Sequence, residues 1–218
     1  MRNIQEREQA AAFMRRLYRQ GLTTTSGGNI SLRCPDGTVA ITASKLDKGE
    51  LDANGVGLVT LDGENLTPEL HLSIETGMHL AIYQKRAEVS AIVHAHPSTA
   101  GSFTASRIPI DTKLTAETYA ILGESIPVVP YALMGSGELA RLASAKLVDY
   151  PCVLLENHGV VTVGKSLLEA FDRLELVETA AKMTLVTRQL GDFHRLTDNQ
   201  LLELDNFVGR VRKAPPRQ

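Results

Sequence analysis

Two histidines one residue apart close an apolar run in Ala91-Ile92-Val93-His94-Ala95-His96-Pro97. The run is rich in β-branched and apolar side chains, which reads as a strand, and alternate residues of a strand project from one face. His94 and His96 therefore offer two imidazole nitrogens from a fixed backbone to a single metal ion. A third donor closes another apolar run, residues 152–155. It is His158 in Leu154-Leu155-Glu156-Asn157-His158-Gly159, followed by a glycine that permits a tight turn. Three histidines with a fourth position open describe a catalytic zinc site rather than a closed structural one. On spacing alone the plainer reading, in which each histidine is a packing residue, stays open.

The rest of the composition narrows what such a site would act on. A chain of 218 residues is long enough for one substantial core, read here as a single domain over 1–212 with a disordered tail at 213–218. A net charge of −2 makes no electrostatic case for nucleic acid or an anionic membrane, and 5% aromatic content without tryptophan argues against a base-stacking platform. The start, Met1-Arg2-Asn3-Ile4-Gln5-Glu6-Arg7-Glu8, is too charged for a secretory signal, and no apolar run approaches the roughly 20 residues that span a bilayer. Cys34 and Cys152 match no metal or redox spacing and read as packing residues of a reduced compartment. The expectation is a soluble cytoplasmic protein whose partner is a small molecule.

Along the chain, Ala11, Met14, Leu17 and Tyr18 recur at helical spacing and Gly21 stands where a helix ends, so residues 4–20 read as an amphipathic helix. Residues 23–33, Thr-Thr-Thr-Ser-Gly-Gly-Asn-Ile-Ser-Leu-Arg, form a hydroxyl- and glycine-rich loop running into a strand, and Asp36-Gly37 turns it into a second strand at 38–42. Backbone amides of the Gly27-Gly28 loop, with Asn29, Ser31, Ser44 and Lys45, would suit an oxyanion such as phosphate, while a plain polar turn explains the loop equally well. Residues 56–61 and Asp62-Gly63 suggest another strand and bend. A helix over 73–84 carries Glu75 in its first turn, where a carboxylate is favoured by the helix dipole alone; it becomes a general-base candidate only if that end faces the histidines. His71 and His79 read as structural or exposed.

Residues 97–105 suggest a small-residue helix, 115–119 a helical turn, 126–131 a proline-marked edge strand and 138–148 a further helix. Residues 152–155 and 160–163 read as paired strands turned at Asn157-His158-Gly159. Ser166-x-x-Glu169 and Thr197-x-x-Gln200 are capping boxes for a long helix reaching about 190 and for a last one. Two Asp-Gly turns and the lack of a regular 30-residue βαβ beat predict an α/β sandwich with a largely antiparallel central sheet and helices on both faces. No Gly-x-Gly-x-x-Gly follows a strand, and neither a Walker lysine nor a Gly-x-Ser-x-Gly elbow is present.

Gly28-Asn29-Ile30-Ser31, Ile41-Thr42-Ala43-Ser44-Lys45, Ser73-Ile74-Glu75, His94-Ala95-His96 and Asn157-His158-Gly159 follow one another in the order and approximate spacing of the class II aldolase/adducin family. The chain resembles this family to about residue 190, and most closely its L-fuculose-1-phosphate and 5-deoxy- or 5-methylthio-ribulose-1-phosphate aldolase branch. The resemblance implies one Zn2+ per subunit on His94, His96 and His158, with Glu75 as acid/base. It also implies a substrate phosphate held by Gly28, Asn29, Ser44, Lys45 and Ser73. The substrate would be a phosphorylated ketose, cleaved through a zinc-stabilised enediolate to dihydroxyacetone phosphate and an aldehyde.

Two departures from the family pattern stand out. Relatives carry Thr-Gly where this chain has Ser44-Lys45, and a second hydroxyl residue where it has Ile74. Fuculose-phosphate aldolases also take the proton donor for the aldehyde oxygen from a neighbouring subunit, as a tyrosine in the stretch before Ser125-Ile126-Pro127. Here Ala116 falls at that position, with Tyr119 and Glu117 beside it as candidates, and Phe207 stands near a second family tyrosine. Tyr119 comes first because a phenol donates while neutral. The resemblance further implies a homotetramer with active sites at subunit boundaries. Related readings are a 4-epimerase, a decarboxylase or dehydratase of the family, and a non-catalytic adducin-like domain.

Overall fold

A computed structural model describes residues 1–210; residues 211–218, which include the tail read at 213–218, lie outside the described residues. The sheet has seven strands in the order β3-β2-β1-β4-β7-β6-β5, where β1 is Asn29–Arg33, β2 Val39–Thr42, β3 Val56–Val59, β4 Ala91–Ala95, β5 Val128–Val129, β6 Cys152–Leu155 and β7 Gly159–Gly164. All neighbours pair antiparallel except β5 and β6, which are parallel. The helices are α1 Ile4–Arg19, α2 Thr76–Lys85, α3 Ser98–Thr104, α4 Ala116–Leu122, α5 Gly137–Lys146, α6 Leu167–Leu190 and α7 Asp198–Phe207. The expected mostly antiparallel α/β sandwich is the observed fold.

Strand alternation divides the core in two. Ala91, Val93 and Ala95 of β4 join Ile30 and Leu32 of β1 in a cluster with α1 and α6, whereas Ile92 joins Met78, Ile82 and Tyr83 of α2 and Leu139 and Ala143 of α5 on the opposite face. Buried Phe171 of α6 meets Phe13 of α1 edge-on at 5.2 Å between centroids, and each such fully buried apolar side chain contributes about 1.5–3 kcal/mol. His94 falls on the Ile92 side of β4, and the register sets it opposite Asn29 of β1. Asn29 and Ser31 likewise face α2, so the sheet's period of two delivers three polar residues to one place.

Local capping follows the sequence signals. Thr197 and Gln200 close a reciprocal capping box on α7, and the Ser166 hydroxyl accepts from the Glu169 amide at the start of α6. The helix read at 73–84 starts instead at Thr76. Residues 71–73 are drawn out beside the loop after β2: Ala43 bridges Leu72, the Ser44 amide donates to the His71 carbonyl at 2.7 Å, and the Thr76 amide closes a turn onto the Ser73 carbonyl at 3.0 Å. Among the described residues no helix is long and apolar enough to cross a membrane.

Candidate metal centre and active site

The three histidines converge as spacing suggested. Their ligand nitrogens lie within 4.8 Å of one another, and His94 Nε2 stands 3.1 Å from His96 Nε2. A tetrahedral zinc with Zn–N of about 2.0–2.1 Å sets its ligand nitrogens about 3.3 Å apart, so this spacing fits a shared ion. His94 Nδ1–H donates to the Val160 carbonyl at 2.9 Å, which leaves Nε2 with its lone pair directed into the cluster. Glycine at 159 is required by space: a Cβ there would lie 2.6 Å from the Ala95 carbonyl oxygen and 2.6 Å from the His96 ring. A Cβ at Gly28, whose φ is +67°, would lie 2.7 Å from the His94 carbonyl oxygen.

Glu75 caps this cluster. It is 5% exposed, with Oε2 at 3.1 Å from His94 Nε2 and Oε1 at 3.3 Å from His158 Nε2. Burial opposes its charge, but nearby His94, the hydrogen bond from Asn29 and nearby His158 hold its carboxyl well below the usual range. Burial, then proximity to His94 and His158, pushes His96 down to about 4; burial and His94 lower His158 as well. An anionic carboxylate and neutral imidazoles are the protonation states that bind a cation. With His94 Nδ1 carrying the proton, the lone pair of Nε2 faces a carboxylate oxygen with no hydrogen between them. Among the described residues Glu75 Oε1 is buried without a hydrogen-bond partner. Such a concentration of acceptors is relieved by a positive ion, so the residues present fit a divalent metal.

The phosphate candidates form a contiguous path to Glu75. Asn29 Nδ2 donates to Glu75 Oε2 at 2.8 Å, the Glu75 amide donates to Ser73 Oγ at 3.3 Å, and Ser44 Oγ donates to the Leu72 carbonyl at 3.2 Å. Gly27 and Gly28 abut His96 and His94. Lys45 is exposed and takes φ +60°, the left-handed region glycine occupies at no steric cost. This explains why a glycine suits that position and makes lysine there a strained choice. Behind the loop lies Lys48, 1% exposed, whose amide donates to the Thr25 carbonyl and whose Nζ donates to the Ala43 carbonyl at 2.6 Å. It passed unnoticed in the sequence, where Asp47-Lys48-Gly49 resembles a solvated turn.

Within its own subunit the leading donor candidate is already engaged. Tyr119, first choice for the aldehyde-side donor, is 3% exposed within its own subunit and donates its hydroxyl to Asp205 of α7 at 2.9 Å. Arg210 lies over its ring, pairs with Asp205 at 3.0 Å and bonds the Tyr119 and Ala120 carbonyls. A phenol so held clasps α7 to α4 and is not presented to a neighbour. Glu117 stays exposed in the first turn of α4, and none of the hydrogen bonds around the histidines involves it. His71 and His79 divide between the two readings that the sequence left open. His71 is exposed as expected, but His79 is fully buried beside the site, bonded to Asn29 and Ser31. An i, i+4 relation to Glu75 on one helix face was the available signal.

Fold and site together define an α/β sandwich whose sheet carries a three-histidine cluster suited to a metal ion, with a carboxylate at its rim. Residues 8–185 match the family model described as class II aldolase and adducin N-terminal domain, and the chain belongs to that family. It is 32% identical over 202 residues to a 5-deoxy-D-ribulose 1-phosphate aldolase of Bacillus thuringiensis, covering 91% of this chain and 93% of that one. It is also 32% identical over 209 residues to a 3-oxo-tetronate 4-phosphate decarboxylase of Haemophilus influenzae, covering 94% and 99%. Among solved structures, an L-fuculose 1-phosphate aldolase superposes with a TM-score of 0.86 at 29% identity, covering 94% of this chain and 96% of the other.

Proposed function

We propose that the protein is a zinc-dependent lyase of the aldehyde-lyase class. It cleaves a phosphorylated ketose, a deoxy-ketose 1-phosphate or L-fuculose 1-phosphate, to dihydroxyacetone phosphate and an aldehyde in the cytoplasm. The observation that carries this reading is Glu75: a buried carboxylate, kept anionic, set 3.1 Å and 3.3 Å from two members of the three-histidine cluster. A zinc ion held by His94, His96 and His158 would supply Lewis acidity for the charge that develops on the ketose oxygens as the carbon–carbon bond breaks.

The chain's own residues do the rest. Gly28, Asn29, Ser44, Lys45 and Ser73 hold the phosphate and so fix the carbon chain beside Glu75, converting remote binding energy into orientation. In the cleavage direction a base on the aldehyde side takes the proton of the C4 hydroxyl as the C3–C4 bond breaks, and C4 leaves as the aldehyde carbonyl. Glu75, after taking a proton from solvent, delivers it to C3, completing dihydroxyacetone phosphate. The group that takes the C4 hydroxyl proton, and returns it to the aldehyde oxygen in the reverse condensation, is not supplied by the cluster. With Tyr119 sequestered, exposed Glu117 of a neighbouring copy in a homotetramer is the remaining candidate. Mixing inactive His94→Ala and Glu117→Gln chains tests it, because mixed oligomers regain activity only if the site is shared.

The Haemophilus influenzae relative favours a second reading, decarboxylation of a 3-oxo sugar acid phosphate, which would use the same metal and carboxylate. A screen of ketose 1-phosphates with a triose-phosphate coupling assay, beside a carbon dioxide assay on 3-oxo acid phosphates, separates the two. Dihydroxyacetone phosphate from a ketose phosphate supports the aldolase; carbon dioxide alone supports the decarboxylase and refutes the aldolase.

A further inference from the structure

Behind Glu75 runs a line of buried polar groups that the aldolase reading leaves unused. Asn29 Nδ2 lies 2.8 Å from Glu75 Oε2, Asn29 Oδ1 lies 2.6 Å from His79 Nε2, His79 Nδ1 lies 2.7 Å from Ser31 Oγ, and Ser31 Oγ lies 2.9 Å from Tyr83 OH. None of the five residues is more than 8% exposed; His79 and Ser31 are at 0% and Tyr83 at 1%. Four of them come from two elements by simple periodicity: Asn29 and Ser31 are alternate residues of β1, and His79 and Tyr83 are one turn apart on α2.

Donor and acceptor capacities leave one arrangement of protons. The amide nitrogen of Asn29 donates to Glu75 Oε2 at 2.8 Å, so its amide oxygen faces His79. An oxygen only accepts, so His79 Nε2 carries the ring proton. The ring has no carboxylate bonded to it and burial holds it neutral, with its affinity for a second proton down at about 3, so Nδ1 is bare and accepts from the Ser31 hydroxyl. That spends the only proton of Ser31, and Tyr83 therefore donates to Ser31. Tyr83, Ser31, His79, Asn29 and Glu75 form a chain in which each bond points toward the carboxylate.

We propose that His79 is a positioning residue for the acid/base Glu75. Its Nε2–H fixes the amide of Asn29 so that the nitrogen holds the Glu75 carboxylate beside His94, and Ser31 and Tyr83 lock the imidazole tautomer that makes this so. Without the N–H of His79, the buried amide oxygen of Asn29 loses its partner and the Glu75 carboxylate alone is left to orient the amide, so the Asn29–Glu75 bond is held less firmly beside His94. The chain also explains the double commitment of Asn29, whose second amide hydrogen is left for the substrate while its oxygen is withheld from it. This inference rests on the role of Glu75 in the proposed aldolase, and its tests separate the two.

Nitrogen-15 NMR of the histidine rings in the intact metal-loaded protein reads the tautomer with no substrate. The expected result is protonated Nε2 and bare Nδ1 at His79; the opposite tautomer, or averaging between the two, overturns the chain. In kinetics, His79→Leu should lower kcat about ten- to a hundredfold, the range typical of lost partners behind a site, with a smaller rise in KM through Asn29 and with bound metal unchanged. His79→Gln, whose amide N–H can reach Asn29 Oδ1, should recover most of that loss. A His79→Leu enzyme at wild-type kcat, or a Gln variant as slow as the Leu variant, refutes the positioning role. Should His79→Leu not fold, Ser31→Ala serves: it should yield mixed tautomers and a lower kcat, and a single wild-type tautomer with full kcat contradicts the proposal. If the wild-type protein fails to cleave any ketose phosphate, the parent reading falls, while the NMR result still decides the hydrogen-bond chain.

Discussion

His94 and Val160 are joined across the β4–β7 pairing by a 2.9 Å hydrogen bond from the imidazole Nδ1–H to the backbone carbonyl. Because the backbone of a central strand is rigid, that bond fixes both the ring's tautomer and its aim, a second-shell device common to metal-ligating histidines. Replacing His94, His96 or His158 with alanine should release the metal and abolish turnover while the fold survives. The cost to the apoprotein should differ, however. His94→Ala removes a buried hydrogen bond to the Val160 carbonyl and should lose about 0.5–1.5 kcal/mol, whereas His158, at 14% side-chain exposure, should change little. Metal analysis and urea unfolding of the three variants check both statements; stoichiometric metal in any of them contradicts the ligand set.

Tyr119→Phe removes the hydroxyl that bonds buried Asp205. A hydrogen bond to a charged buried group contributes about 1.5–3 kcal/mol, so the variant should unfold at lower denaturant by that amount with kcat unchanged. A large fall in kcat at unaltered stability would restore Tyr119 as the donor.

Lys45 stands at φ +60°, a conformation costing a non-glycine residue about 1 kcal/mol or slightly more. Lys45→Gly relieves that strain but frees the unfolded chain, so stability should rise by no more than about 1 kcal/mol. If the ammonium meets the substrate phosphate, KM should rise about tenfold, matching the lower range for charge-assisted bonds. An unchanged KM would remove Lys45 from the phosphate site.

Burial pushes the Lys48 ammonium from 10.5 down to about 8. A lysine whose folded pKa lies below its unfolded value costs stability wherever it is charged in both states, here below pH 8, and the cost fades as pH climbs from 8 to 10.5. At about 1.4 kcal/mol per unit the penalty at pH 7 is about 3 kcal/mol, less about 1 kcal/mol for the bond to the Ala43 carbonyl. Lys48→Met should therefore be more stable than wild type at pH 7 by about 2 kcal/mol, with the gap closing toward pH 10. Urea titrations at the two values check this, and a less stable Met variant at pH 7 would show that the charge is compensated.

Much of this was legible because local chemistry and global fold agree. The Ser166 cap and the Thr197 capping box located α6 and α7, the Asp36-Gly37 turn located the first hairpin, and period-two alternation aimed His94 and His96 at the same side. Sequence reasoning failed where a residue's role depends on a distant partner. Tyr119 is defined by Asp205, 86 positions away, and His79 by strand residues 48 and 50 positions before it. The start of α2 falls three residues later than the sequence places it, because the segment before it is held by Ala43 and Ser44.

The most direct measurement is the exchange of a C3 proton of dihydroxyacetone phosphate with solvent deuterium, which isolates the half-reaction assigned to Glu75 and the metal and requires no knowledge of the aldehyde. Wild-type protein loaded with zinc should exchange stereospecifically, chelation should stop it, and Glu75→Gln should keep its zinc while losing about 10²–10⁴-fold in rate. No exchange by the loaded wild-type protein, or wild-type rates from Glu75→Gln, would contradict the account.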